Sequence, residues 1–202
     1  MSKSLGNVVD PMELANRFGV DALRYFLLRE VSFGQDGTYS HEAIVNRVNS
    51  ELANSFGNLA QRSLSMIFKN LDGILPAKGE TLDDQALLDE VRLGCQTLER
   101  EFDRFAFSVG LEAWMTAVFA CNAYIDSAAP WALRKTDPQR MSEVLGTLAV
   151  AVRMLAEAVQ PVIPASAEKL IALIDSGKDE NPIAQPTPIF PRLELGEEEA
   201  AA

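Results

Sequence analysis

The chain has 202 residues, 48% of them hydrophobic and 23% charged, a composition suited to one soluble domain with a substantial core. It contains no run of 18 apolar residues and no apolar stretch at its start, so neither a membrane helix nor a secretory leader is expected. Its net charge of −11, from 18 basic and 29 acidic residues, argues against a nucleic-acid binder that works through a broad basic surface.

Residues 1–10 read as a loop, and Asp10-Pro11 as a helix start, with Asp10 as N-cap and Pro11 in the first helical position. Leu14 and Phe18 share one face, and Gly19 fits the stop. Asp21 is read as the cap of a second helix over 22–30, and the Gly34, Asp36 and Gly37 stretch over 32–40 as a loop. A long helical run extends from there to about residue 70, its apolar positions Ile44, Val48, Leu52, Phe56, Leu59, Leu64, Ile67 and Phe68 recurring every three to five residues. His41, near its start, reads as a surface or capping residue.

Gly73 and Pro76 mark a connection over 71–78, after which helices are expected over 83–104 and 107–127. Leu111, Trp114, Met115, Val118 and Phe119 read as core, and the charges between Glu99 and Arg104 as a solvated face with helical pairs. Pro130 ends the second of these helices. Asp137-Pro138 opens another, running to about residue 160, and a short last helix covers 165–174. Beyond it, Ile189 to Leu193 is expected to pack back on the body, and residues 197–202 to be disordered.

The fold class is therefore all-α: a helical bundle preceded by a small helical segment. The expected parts are 1–40, the bundle 41–175, and a proline-rich, acidic tail 176–202. Part of the acid belongs to that tail. Seven acidic and two basic residues from 175 onward leave 16 basic and 22 acidic before it, a net of −6. The body is still acidic, so any RNA contact must be a small local patch. Cys95 and Cys121 match no zinc spacing and read as buried, reduced thiols of a cytoplasmic protein. No metal-ligand cluster is expected.

The chain opens Met1-Ser2-Lys3-Ser4-Leu5-Gly6-Asn7-Val8-Val9-Asp10-Pro11 and continues through Gly19-Val20-Asp21-Ala22-Leu23-Arg24-Tyr25. This two-part string resembles class I aminoacyl-tRNA synthetases of the methionine, isoleucine, valine and leucine group. The resemblance implies that Ser2, Lys3 and Ser4 end the loop that closes over ATP. There Lys3 would reach the leaving phosphates in the transition state, where negative charge builds. The lysine that normally precedes the methionine is absent, as is the upstream nucleotide-binding fold. The chain therefore reads as the C-terminal piece of a larger enzyme that uses ATP and magnesium, and is expected not to form an adenylate alone.

Arg47-Val48-Asn49-Ser50-Glu51-Leu52-Ala53-Asn54-Ser55-Phe56-Gly57-Asn58-Leu59-Ala60-Gln61-Arg62 resembles the first bundle helix of the methionyl-tRNA synthetase family. Asn58 and Arg62 lie four apart, hence on one helix face. An Asn amide offers both donor and acceptor and Arg only donors, a set able to read an unpaired cytosine edge. The resemblance implies that the pair reads the anticodon, with Gly57 leaving room beside Asn58 for a base. In isolation the same spacing describes a solvated face.

Tyr124-Ile125-Asp126-Ser127-Ala128-Ala129-Pro130-Trp131-Ala132-Leu133-Arg134-Lys135 resembles the Pro-Trp segment of the same family. Trp131 after a helix-ending proline suits a stacking platform for an unstacked base, with Arg134 and Lys135 for neighbouring phosphates. A lid on the bundle is the other reading of Trp131, and Trp114 reads as core. The implied function is anticodon recognition in a methionine enzyme, with its tRNA and an N-terminal catalytic domain as partners. An isoleucyl, valyl or leucyl counterpart and a helical protein adaptor are the alternatives.

Overall fold

The computed structural model describes residues 10–30, 40–177 and 181–195. Ser2, Lys3 and Ser4, the expected loops over 1–10 and 32–40 (apart from Asp10 and Ser40) and the expected disorder over 197–202 lie outside the described residues. Within them the chain is helical, with no strand.

Helix α1, Pro11–Phe18, starts as its sequence dictates: the Met12 amide donates to Asp10 Oδ1 at 2.8 Å, and Pro11 occupies the first position. Gly19 ends it at φ +87°, a conformation that glycine adopts without strain. Helix α2, Val20–Glu30, starts at the next residue. It begins before Asp21, which corrects the reading of Asp21 as its cap. The Asp21 carboxylate instead accepts the Ser166 amide at 2.7 Å, satisfying a free N–H in the first turn of a helix near the other end of the chain.

Ser40 caps α3, His41–Arg47, by accepting the Ala43 amide at 3.0 Å. His41 is not the cap: its Nδ1 accepts from Arg17 at 3.1 Å, and its ring meets Phe18 edge-on. The helix then runs without a break through a π-helical segment, Val48–Gly57, into α4, Asn58–Asn70. The sequence predicts one α-helical run here; the wider winding reflects a spacing of four between the buried residues Val48, Leu52 and Phe56, longer than an α turn.

The bundle is completed by α5, Leu82–Asp103, α6, Phe107–Ala128, α7, Pro130–Thr136, α8, Pro138–Val159, and α9, Pro164–Asp175. Helix α8 lies at the centre, in contact with α4, α5, α6, α7 and α9, and is buried on most of its sides from Val144 to Val152. Leu111, Trp114, Met115 and Val118 are core as expected, and the Trp114 indole donates to the Leu155 carbonyl at 3.0 Å. Phe119 is not core; it is 53% exposed. Eight residues after Leu111 it has drifted about 80° round α6, past the edge of the buried stripe. Arg100 pairs with its neighbour Glu101 at 3.0 Å, not with a residue one turn away.

Two polar locks tie the helices. In the first, Asp84, fully buried, closes a capping box with Thr81 and receives Tyr124 Oη and both terminal nitrogens of Arg140. Burial alone would raise its pKa. The hydrogen bonds from Arg140, Tyr124 and Thr81 outweigh that and hold the carboxyl well below the usual carboxylate range. In the second, Glu51 accepts Tyr25 Oη at 2.6 Å, Arg29 Nε at 3.2 Å and Arg47 Nη1 at 2.8 Å, joining α2 to the π-helical segment. Burial first, and then the Glu51 charge, push the Tyr25 hydroxyl upward, so it stays a donor.

The tail packs back as expected. Phe190 is 9% exposed against Phe56, and the Leu193 backbone exchanges two hydrogen bonds with the Asn49 carboxamide, at 2.8 and 2.9 Å. The Ile183 amide donates to Gly73 at 2.9 Å.

Candidate nucleic-acid interface

Ala129 fixes the corner on which the site is built. It takes a left-handed conformation, φ 44° and ψ 58°, caps α6 by donating to Ile125 and hands the chain to Pro130, the first residue of α7. Trp131, the second residue of α7, is thereby turned outward and is 49% exposed. It is not a lid over the core. Arg134 and Lys135 come three and four residues later, so they share its helix face; both are exposed, and neither has a partner among the described residues.

The long run containing α4 approaches from the other side. Arg62 lies with its Cζ 5.4 Å from the centroid of the Trp131 indole and donates from Nη2 to Asp126 Oδ1 at 2.8 Å. The structure thus brings Arg62 and Trp131 together, from positions far apart in the chain. Asp126, on the last turn of α6, holds the guanidinium on the ring and leaves most of its five N–H donors facing outward. Sequence reasoning gave Asp126 no role. The signal was its place five residues before Trp131, which only the α6–α7 corner makes meaningful.

Asn58 lies one turn before Arg62 on α4, exposed, its carboxamide without a hydrogen bond among the described residues. Beside it opens a cleft of about 350 Å³, lined on the helix side by Asn54, Asn58 and Gln61 and on the tail side by Ile189 and Phe190. Gln61 is oriented by bonds to Ser65 at 3.1 Å and to the Pro186 carbonyl at 3.2 Å. Gly57 lines the same cleft beside Asn58. It is buried, and a Cβ there would meet the Leu52 carbonyl oxygen at 2.9 Å and the Phe190 ring at 3.4 Å.

The arrangement is a cation-backed aromatic surface, three carboxamides in a row on the neighbouring helix and two unpaired cations beside the aromatic. Such a set stacks a flat ring, presents donors and acceptors to its edge and meets a phosphate. A larger groove of about 820 Å³ runs past Tyr124 and Leu133, but its cation Arg140 is committed to Asp84. Among the described residues no His, Cys, Asp and Glu cluster could hold a metal, and no helix is long and apolar enough to cross a membrane.

Comparison with known proteins identifies the family of the fold. Residues 1–64 match the family of class I tRNA synthetases (M), and residues 75–200 match the anticodon binding domain of methionyl tRNA ligase. A methionine–tRNA ligase of Brucella melitensis is 47% identical over 98% of this chain and 42% of its own length. One of Mycobacterium leprae is 45% identical over 100% of this chain and 41% of its own. Among solved structures, Mycobacterium tuberculosis methionyl-tRNA synthetase in complex with methionyl-adenylate superposes with a TM-score of 0.87 at 43% identity, covering 95% of this chain and 41% of that one. The chain therefore spans about two fifths of the length of these relatives. With an all-α bundle, a matching family model over more than half of its length and methionine–tRNA ligases among its relatives, this chain belongs to the methionyl-tRNA ligase anticodon-binding family.

Proposed function

We propose that this chain binds the anticodon loop of a tRNA and is the recognition part of a methionine–tRNA ligase. The observation that carries the reading is the seating of Arg62 against the ring of the half-exposed Trp131, one helical turn from an unpartnered Asn58. Trp131 stacks one unstacked base. Asn58 and Arg62 meet its edge, the first with a donor and an acceptor and the second with donors, which suits cytosine. Arg134 and Lys135 meet the adjoining phosphates. Specificity of this kind rests on stacking and hydrogen bonds, so it is compatible with an acidic domain.

The activity of the whole protein is a proposal drawn from the same relatives. It activates methionine with ATP and magnesium, and transfers it to its tRNA. Ser2, Lys3 and Ser4 contact the nucleotide phosphates there, in company with a catalytic domain, and the protein works in the cytoplasm. The parts 1–40, 41–175 and 176–202 then divide the work: ATP-loop end with stem contact, anticodon bundle, and a tail that braces the bundle. The similarity to methionine enzymes of Brucella and Mycobacterium favours this reading over an isoleucyl, valyl or leucyl one.

The test is titration of the chain with a labelled anticodon stem-loop whose first anticodon base is cytosine, against the same hairpin with uracil there. The cytosine hairpin is expected to bind more tightly, and Arg62→Ala and Trp131→Ala to weaken it. Equal binding of both hairpins, unaffected by either substitution, would overturn the reading.

A further inference from the structure

Ile44, Val48, Leu52, Phe56, Ala60 and Leu64 recur every fourth residue, and none is more than 2% exposed. An α-helix that buries a single face cannot do this, and Asn46, Ser50, Asn54 and Asn58 show that this run keeps an exposed face. At 3.6 residues per turn each four-residue step overshoots by about 40°, so five steps would carry Leu64 about 200° round from Ile44, onto the opposite face. The chain keeps all six in the core by widening over Val48–Gly57, where bonds reach back five residues and each residue turns through a smaller angle. The Asn58 amide accordingly reaches the Ala53 carbonyl, sharing its N–H with the Ser55 carbonyl, and Ser55 Oγ donates to the Ser50 carbonyl at 2.8 Å.

We propose that this widened segment sets the rotation of Asn58 and Arg62, with Gly57 and Glu51 as its positioning residues. The proposal rests on the assignment of these two side chains to the anticodon loop. The segment ends at Gly57, directly before Asn58. Wide winding brings the Leu52 oxygen, five residues back, under Gly57, and any Cβ there would lie 2.9 Å from it. The oxygen belongs to the backbone and cannot swing aside, so a side chain at 57 forces the two turns apart.

Glu51 holds the other flank. Its side chain is 10% exposed and is gripped by Tyr25 and Arg29 from α2 and by Arg47 from the preceding turn, which fixes the segment's rotation against α2. Asn49 adds a two-bond tie to Leu193. Were Val48 to Ala60 wound as α-helix, the three four-residue steps would rotate Arg62 and the rest of α4 by about 120°. Arg62 would then leave the Trp131 ring. The segment is thus the reason that side chains on a core-packed helix face the α6–α7 corner at all.

Gly57→Ala in the full chain tests this, read in two ways. In ¹H–¹⁵N spectra the Trp131 indole N–H of Gly57→Ala is expected to move as it does in Arg62→Ala, because the guanidinium has left the ring in both. In stem-loop titrations Gly57→Ala is expected to lose affinity for the cytosine hairpin by at least about tenfold, the size of one lost base contact, and to lose its preference over the uracil hairpin. A variant that is merely less stable would bind less but keep that preference.

A folded Gly57→Ala with an unmoved indole resonance overturns the register proposal whatever the RNA does. If Arg62→Ala and Trp131→Ala bind normally while the resonance does move, the anticodon reading fails and the register claim stands. Should Gly57→Ala not fold, Glu51→Gln, which keeps shape and removes the charge, is expected to show the same indole shift. An unmoved resonance there overturns the proposal.

Discussion

Arg140 grips the fully buried carboxylate of Asp84 with both ends of its guanidinium, Nη1 to Oδ2 at 2.7 Å and Nη2 to Oδ1 at 2.9 Å. The contact joins α5 to α8, and Tyr124 brings α6 to the same carboxylate, so three of the longest helices meet at one charge. Removing Arg140 takes away the only cation at that buried charge and leaves it the neutral donors of Tyr124 and Thr81. Arg140→Ala is expected to cost about 3 kcal/mol, at the lower end for a broken buried pair because Arg140 is itself partly exposed. Urea unfolding at neutral pH measures it; a cost under about 1 kcal/mol would mean water replaces the arginine at Asp84.

The same carboxylate makes stability depend on pH. Its pKa is depressed in the folded chain, so its contribution is complete above the unfolded value of about 3.9 and is lost as pH falls through the folded one. The Tm advantage of the parent over Asp84→Asn is expected to be level from pH 7 to about 5 and to shrink below about 4. An advantage that stays constant down to the acid limit would show that the pair is not the cause.

The two tryptophans separate stability from binding. Trp114 is fully buried between Phe56 and Tyr25, so Trp114→Ala is expected to cost about 3–5 kcal/mol of stability. Trp131→Ala is expected to leave stability within about 1 kcal/mol and to cost about 1–3 kcal/mol of stem-loop affinity. Chemical unfolding and hairpin titration on both variants check the pair of outcomes; a Trp131→Ala protein that unfolds early but binds normally would reverse the assignment.

Salt dependence should be shallow for a chain of net charge −11. With Arg134 and Lys135 as the phosphate contacts, the slope of log affinity against log salt is expected near about −1.4, from about 0.7 per contact on single-stranded RNA. Arg134→Ala with Lys135→Ala should flatten it almost to zero and weaken cytosine and uracil hairpins alike. A steep slope that survives the double substitution would place the phosphate contacts elsewhere.

Cys121 is buried as the sequence suggests, whereas Cys95 is only half-buried, at a groove between α5 and α8, and the two are expected to differ in reactivity. Burial pushes the Cys121 thiol up to about 12, with smaller contributions from Cys95 and Glu90. Burial and Glu157 push Cys95 up to about 11. Iodoacetamide at about pH 8, below both values and near that of a free thiol, should label Cys121 only at the rate of unfolding and Cys95 more slowly than a free thiol; rapid labelling of Cys121 in folded protein would contradict the packing.

Helix ends were legible wherever a local rule decides them. Asp10-Pro11, Gly19 and Asp137-Pro138 each satisfy or remove a backbone group within a few residues, so sequence alone locates them. Asp21 shows where this stops: a carboxylate at a plausible cap position serves Ser166, which no local rule can reveal. The winding of Val48–Gly57 was hidden for another reason. A spacing of four satisfies a loose helical template, and only its persistence over six positions conflicts with 3.6 residues per turn. Asn58 and Arg62 show in the sequence as a spacing of four, and Trp131 as a residue after a helix-ending proline. The meeting of Arg62 with Trp131 depends on Ala129 and Asp126, which acquire meaning only through the packing of α4 against α6.

The ties of α2 bear on how the ends of this chain relate mechanically. Arg24 donates to the Val162 carbonyl at 3.0 Å and the Pro161 carbonyl at 2.6 Å, Asp21 holds Ser166, and Glu51 holds Tyr25 and Arg29. These anchors lie along successive turns and pull toward different helices, so α2 can neither roll nor slide alone. Helix α2 is therefore a clamped mount rather than a swivel, tied at once to the start of α9 and to the π-helical segment. Torque applied at the Trp131 corner would be delivered there as rotation of one stiff body.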